Sequence, residues 1–168
     1  RVAETVWVQE KNKWLESFGH LSVAACVGTP AQRLAALRST PDILTINYEN
    51  IDWLLEQYQH HWPFDMIFAD EVTRVKGLRV SFQRKKRKDG TYGQEYITGQ
   101  GSSRAKALAG VAHTKVRRWI GATGSPAPNG LVDTWALAWF VDGGRGLGNS
   151  FKAFTDRWFR ATPGSTKE

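Results

Sequence analysis

The chain has 168 residues, 41% of them hydrophobic, which suffices for one domain with a real core and is too short for two of ordinary size. Lys and Arg number 23 against 16 Asp and Glu, a formal charge of +7, and the single cysteine, Cys26, excludes a disulfide scaffold or a Cys-rich zinc site and favours a reducing cytosol. No apolar run approaches the length of a membrane span, no signal-peptide pattern opens the chain, and Arg1 in place of Met suggests a processed chain or a fragment.

Val2 to Phe18 carries apolar residues at helical spacing (Val2, Val6, Trp14, Phe18), with Gly19 as a stop. Leu21 to Val27 reads as a short buried strand. Pro30 to Leu37 reads as a helix with Thr29 as N-cap and Pro30 in its first turn. A second strand, Ile43 to Asn47, precedes an amphipathic helix from Ile51 to Tyr58. Phe64 to Ala69 is a third strand, apolar except for Asp65. A helix near Arg104 to Ala112, capped by Ser102 or Ser103, leads to a fourth strand, Trp119 to Ala122. Helices at about Leu131 to Val141 and Ser150 to Phe159 close the chain, and the tail from Thr162 is expected to fray. Strands that alternate with helices and are apolar throughout indicate an α/β fold, a parallel sheet covered on both faces in three layers.

One stretch breaks the alternation, and it also holds the charge. Residues 72 to 132 contain 13 bases and two acids, Asp89 and Glu95, whereas residues 1 to 71 contain 5 bases and 10 acids. Leu78, Val80 and Phe82 alternate with Arg79, Ser81 and Gln83, and the run Arg84-Lys85-Lys86-Arg87-Lys88 follows. Asp89-Gly90 then separates this segment from a second alternating one, Tyr92 to Thr98, which is a hairpin signature. A two-residue turn at Asp89-Gly90 sets Arg84 opposite Glu95 and Phe82 opposite Ile97. Residues 78 to 98 therefore read as an inserted hairpin with a basic tip, or equally as a charged loop. A basic strip of this kind suits a polyphosphate partner, because each neutralised phosphate releases condensed counterions.

Two strand exits could carry chemistry. The third strand ends in Asp70-Glu71, and ligands of parallel sheets bind beyond the carboxyl ends of the strands. One carboxylate can hold the water shell of Mg²⁺ while its neighbour polarises a water for attack on phosphorus. The fourth strand runs into Thr123-Gly124-Ser125-Pro126-Ala127-Pro128-Asn129-Gly130, where two hydroxyls flank a glycine. If the two strands are neighbours, those hydroxyls can reach the acids. Taken singly, each exit is equally an ordinary turn or helix cap.

Gly143 to Ser150 approaches the phosphate-cradling pattern GxxxxGK[ST], but Asn149 stands at the lysine position and no strand leads into it. It reads as a flexible linker. His60 and His61, adjacent at a helix end, do not make a metal site. The eight tryptophans, among them Trp7, Trp14, Trp53, Trp119, Trp135 and Trp139, read as core or half-buried packing.

Taken in order, these segments resemble the first RecA-like lobe of a superfamily-two helicase or translocase, most like the Swi/Snf-related branch and its bacterial and phage members. Asp70-Glu71-Val72-Thr73 resembles the DExx box. Ala122-Thr123-Gly124-Ser125-Pro126-Ala127-Pro128-Asn129-Gly130 resembles motif III, and Asp133, Trp135 and Phe140 resemble the helix after it. Thr45-Ile46-Asn47-Tyr48-Glu49 is similar to the Thr-x-Tyr-Glu element, and Arg1-Val2-Ala3 to the end of motif Ia. Ala122 and Ser125 depart from the usual Leu and Thr.

The resemblance implies a P-loop NTPase lobe, truncated at its N-terminus, over residues 1–161, with 78–98 inserted and 162–168 a flexible tail. Asp70 would hold the Mg²⁺ of bound ATP, Glu71 would orient the attacking water, and Thr123, Gly124 and Ser125 would couple the nucleotide to movement on DNA. Arg1, Thr45, Asn47 and Tyr48 would lie near the DNA backbone, and Lys85, Lys86 and Arg87 are added here as phosphate contacts of the hairpin. The implied partners are double-stranded DNA and a second helicase lobe, without a membrane, in the cytoplasm of a bacterial or phage-infected cell. Motif I and the second lobe are not in these 168 residues, so the isolated chain is expected to show no appreciable ATPase activity. Two other classes stay open: a basic DNA-binding α/β module without ATPase chemistry, and a phosphotransferase that uses Asp70 and Glu71 on another substrate.

Overall fold

The computed structural model describes residues 2–58 and 61–160, with side chains other than those of 2, 15, 81–85 and 92–98. Arg1, His60 and the tail from Thr162 lie outside the described residues. The chain forms two compact units, Arg1–Gln57 and Tyr58–Glu168.

The first unit opens with a π-helical turn, Val2–Val6, then α1 (Trp7–Lys13) and α2 (Leu15–Phe18). The single helix expected from Val2 to Phe18 is broken at Trp14, whose backbone leaves the helical region and whose ring is 61% exposed. With its side chain largely in solvent, an aromatic residue has little helix propensity to keep the turn there. Strand β1 (Val23–Cys26), α3 (Pro30–Arg38) and β2 (Ile43–Ile46) make a parallel crossover, with Val23 opposite Ile43 and Cys26 opposite Ile46. The Asp42 carboxylate pins the strand entrances together by accepting the Ser22 N–H and O–H at 2.7 and 2.6 Å. Those bonds hold the carboxyl below its ordinary pKa.

Helix α3 starts as its sequence requires. Thr29 Oγ1 accepts the Gln32 N–H, Gln32 Oε1 accepts the Thr29 N–H at 2.8 Å, and Pro30 fills the first position. Replacing Thr29 by alanine is expected to cost about 1 kcal/mol in urea denaturation, because an N-terminal amide of the helix loses its acceptor. After β2, a 3₁₀ turn (Tyr48–Asn50) leads into α4 (Ile51–Tyr58), which buries Ile51 and Leu54.

In the second unit, β3 (Met66–Ala69) and β6 (Arg118–Gly121) pair in parallel, with Ala69 opposite Gly121. A 3₁₀ turn (Val72–Val75), the antiparallel hairpin β4 (Arg79–Lys86) and β5 (Tyr92–Gln100), and α5 (Ser103–Ala112) lie between them in sequence. Ser102 is the N-cap of α5, accepting the Ala105 N–H. A second 3₁₀ turn (Leu131–Asp133) precedes α6 (Thr134–Asp142) and α7 (Phe151–Trp158). The core is aromatic: Trp135, Trp139 and Phe140 are fully buried, and Trp119 stacks on Phe140 with centroids 4.5 Å apart.

The protein is thus mixed α/β with short parallel sheets. The single parallel sheet expected from the alternation is corrected to two separate two-stranded parallel pairs and one antiparallel pair. Apolar strands also do not all end covered. Ala69 and Trp119 are buried, whereas Met66, Phe68 and Ile120 are exposed. Trp14 and Trp158 are likewise exposed rather than packed.

The hairpin is present with the expected central register, Arg84 opposite Glu95 and Phe82 opposite Ile97. Its tip differs. Arg87 N–H bonds to Thr91 O at 2.7 Å and Gly90 N–H to Arg87 O at 3.1 Å, so the loop has three residues, Lys88 to Gly90, with Gly90 at φ +84°. A three-residue loop ending in a left-handed glycine is a common hairpin connection. A bulge between Arg84 and Lys86 places an extra residue on β5, which cancels the one-residue change and restores the register. Asp89 Oδ1 accepts both the N–H and O–H of Thr91, so this one acid of the tip is used in closing it and its carboxyl stays below its ordinary pKa.

The segment Gly143 to Ser150, expected to be a flexible linker, is a loop closed on itself by hydrogen bonds. The Asp142 carboxylate accepts the N–H groups of Gly144, Arg145 and Gly146 at 2.8 to 3.1 Å, and the Trp135 indole donates to Gly148 O at 3.0 Å. A cluster of backbone N–H groups that could cradle a phosphate is here filled by the chain's own carboxylate, which supports its rejection as a nucleotide loop.

Candidate active site at the ends of two parallel strands

Strands β3 and β6 are hydrogen-bonded neighbours running in the same direction, so their exits lie side by side at one edge. A single residue bridges the two exits. Ala122 N–H donates to Ala69 O, and Val72 N–H donates to Ala122 O, both at 2.9 Å. The ladder thus skips Asp70 and Glu71, which are extruded between two rungs with both residues exposed. The skip needs a sharp backbone reversal, and Glu71 supplies it in the left-handed region at φ +50°, ψ +50°. For a residue with a Cβ this conformation costs about 1–2 kcal/mol. Glycine or asparagine would serve the turn better, so a carboxylate kept there at a conformational cost marks a candidate functional position.

Packing holds the extrusion in place. A Cβ added at Gly121 would meet the Val72 methyls at 3.1 Å, so the glycine lets the turn after the acids sit directly on the end of β6. Val72 and Val75 are buried beneath it. Asp70 Oδ1 accepts the Glu71 N–H at 3.1 Å.

Beside the acids, the Thr123–Gly130 loop presents Ser125 exposed and Thr123 half-buried. Thr123 Oγ1 accepts the Ser125 N–H at 3.2 Å, which folds the loop back on itself while the threonine keeps a proton to donate. The far end of the loop is fastened by a residue to which sequence reasoning gave no chemical role. Asp133 is buried, and its Oδ2 accepts the Asn129 N–H at 3.0 Å and pairs with Lys76 Nζ at 3.1 Å. A lone acid in a helix start carries no sequence signal of burial; only its position beside Lys76, five places after Glu71, reveals it.

The residues expected to face DNA fare differently. Thr45 is corrected: it is buried, and its hydroxyl donates to the Ala3 carbonyl, so it is not available to a phosphate. Asn47 is exposed at the start of the 3₁₀ turn and Tyr48 is half-buried, both in the first unit. Arg1 lies outside the described residues, and of Lys85 only the backbone, on β4, is described. Lys86, Arg87 and Lys88 are exposed at the hairpin tip.

Among the described residues no group of three or more His, Cys, Asp or Glu side chains could hold a metal ion. The donors at the strand exits are instead hard oxygens, two carboxylates and two hydroxyls, a set that suits Mg²⁺ completed by water and phosphate oxygens. Among the same residues, no helix is long and apolar enough to cross a membrane.

No protein-family profile matches the chain. It is 40% identical over 161 residues to protein p41 of Acyrthosiphon pisum secondary endosymbiont phage 1. The match covers 95% of this chain and 31% of that phage protein, so the chain spans about a third of its relative's length.

Proposed function

We propose that this chain carries the acid edge of a nucleotide-hydrolysing, RecA-like lobe in a DNA translocase or helicase of the Swi/Snf-related kind. The observation that supports it most is the pair of adjacent strand exits stitched through Ala122, which brings Asp70-Glu71 beside Thr123-Gly124-Ser125. Asp70 would hold the metal of Mg²⁺-ATP, and Glu71 would orient a water toward the terminal phosphorus and take up its proton as the diphosphate leaves. Mg²⁺, when bound there, would supply charge neutralisation at the phosphate oxygens. Thr123 and Ser125, on the neighbouring strand exit, follow the state of that phosphate through their hydroxyls. No GxxxxGK[ST] phosphate loop occurs in these 168 residues, so turnover is tested on the intact gene product. Release of phosphate by that product, dependent on duplex DNA and lost in Glu71→Gln, is the test.

The hairpin tip favours the DNA partner directly. A two-stranded ribbon fits the major groove, and eight residues of β4 extend it by about 25 Å. Replacing Lys85, Lys86 and Arg87 by alanine is expected to weaken duplex binding by the 168-residue chain and to flatten the slope of log K against log salt by about 2 to 3. Fluorescence anisotropy with a labelled 20-base-pair duplex, titrated at four salt concentrations, measures both. An unchanged slope removes these residues from the interface. Binding that persists while the intact product hydrolyses no nucleotide favours the second reading, a basic DNA-binding module without ATPase chemistry.

A further inference from the structure

The hairpin is rooted within eight residues of Glu71, and its root is stiff. Leu78 and Val80 are buried, and a Cβ at Gly99 would lie 1.9 Å from the Arg79 carbonyl oxygen, so the two strands are pressed together at their base. Arg79 extends this root into the unit. Its guanidinium donates to Lys76 O at 2.7 Å and Leu78 O at 2.9 Å and lies over the Phe151 ring at 3.9 Å. Lys76 ends the 3₁₀ turn that follows the acid pair and sends its ammonium to Asp133, whose same carboxylate oxygen holds the Asn129 N–H of the hydroxyl loop. Asp133 also lies within electrostatic reach of Arg79. One buried carboxylate therefore joins the hairpin root, the turn behind the acids and the loop that carries the hydroxyls.

We propose that Asp133 is a positioning residue that couples the basic hairpin to the hydroxyl loop, so that a nucleic-acid backbone seated on the tip shifts Thr123–Gly130 relative to Asp70 and Glu71. A stiff ribbon gripped at its end acts on its root, and the polar joint at the root is the Lys76–Asp133–Asn129 chain. The inference rests on the hairpin side of the functional reading above and not on nucleotide hydrolysis, which the Glu71→Gln comparison tests separately.

The experiment is hydrogen exchange of the 168-residue chain with and without a 20-base-pair duplex, on wild type, Asp133→Asn and Lys76→Ala. Asparagine keeps the shape of Asp133 and removes its charge, and Lys76, at 28% side-chain exposure, can find water once its partner is gone. In the wild type the duplex is expected to slow exchange both at the tip (Lys86 to Thr91) and, by about threefold or more, in the Thr123–Gly130 loop. In both variants the tip should still be protected at the same duplex affinity, and the loop should no longer respond. A wild-type loop indifferent to DNA overturns the coupling. So does a loop that still responds in either folded variant. Loss of tip protection and loop response together in both variants also overturns it, since Asp133 and Lys76 would then serve the hairpin's structure alone. If Asp133→Asn does not fold, the Lys76→Ala chain decides.

Discussion

Glu71→Gln in the intact gene product is expected to lower DNA-stimulated nucleotide hydrolysis by about 100-fold or more, the usual range for loss of a positioned proton acceptor. Nucleotide and DNA binding should survive, because the side chain keeps its length and the backbone keeps its course. The backbone matters here, since Glu71 occupies the left-handed region and any disruptive replacement would move Asp70 as well. A companion, Glu71→Gly, separates chemistry from folding. It relieves about 1–2 kcal/mol of left-handed cost and loses about 0.5–1 kcal/mol to glycine's chain entropy, so stability should stay level or rise by up to about 1.5 kcal/mol. Phosphate release and equilibrium unfolding, measured on both variants, give the comparison. A Glu71→Gln protein that turns over at the wild-type rate would take the acid out of the chemistry and leave the DNA-binding module as the better reading.

Trp135→Ala is expected to be the most damaging single change to stability in the second unit, at about 3–5 kcal/mol. The side chain is completely buried and meets Phe151 edge-on at 5.8 Å. Its indole N–H also donates to Gly148 O, so truncation opens a cavity and strips a bond from the Gly143–Gly148 loop together. Trp135→Phe divides these contributions. It keeps most of the apolar volume and forfeits the hydrogen bond, for about 1–2 kcal/mol. Trp14→Ala, at a ring 61% exposed, should stay within about 0.5 kcal/mol of wild type and serves as the control. Urea denaturation followed by tryptophan fluorescence reads all three. A Trp135→Ala chain as stable as the control would mean that the aromatic cluster does not hold this unit together.

Local chemistry was legible wherever the causes lie within a few residues. Thr29 and Pro30 announce the start of α3, and the Ser102-Ser103 pair that of α5, because capping is settled by side chains reaching three positions along the chain. The hairpin register was legible for a related reason, since side-chain alternation and a turn between two runs leave few pairings. Its tip was not, because a two-residue turn with straight strands and a three-residue turn with a bulge give the same central register. Thr45 misled because its motif resembles a nucleic-acid-facing element, whereas its burial follows from Ala3, 42 positions away, presenting a carbonyl.

The sequence by itself determined an α/β chain, the concentration of positive charge between the acid pair and the hydroxyl loop, and the residue types of both strand exits. Composition, periodicity and adjacency are properties of neighbours in the chain, so they can be read without coordinates. Only the tertiary structure decided that β3 and β6 are partners and that Asp70 and Glu71 are squeezed out between two rungs at Ala122. It also decided that one buried carboxylate, Asp133, joins Lys76 to Asn129. Strand partners separated by the whole hairpin and α5 are chosen by burial and backbone hydrogen bonding across some fifty residues, and the burial of Asp133 is set by what those elements place around it.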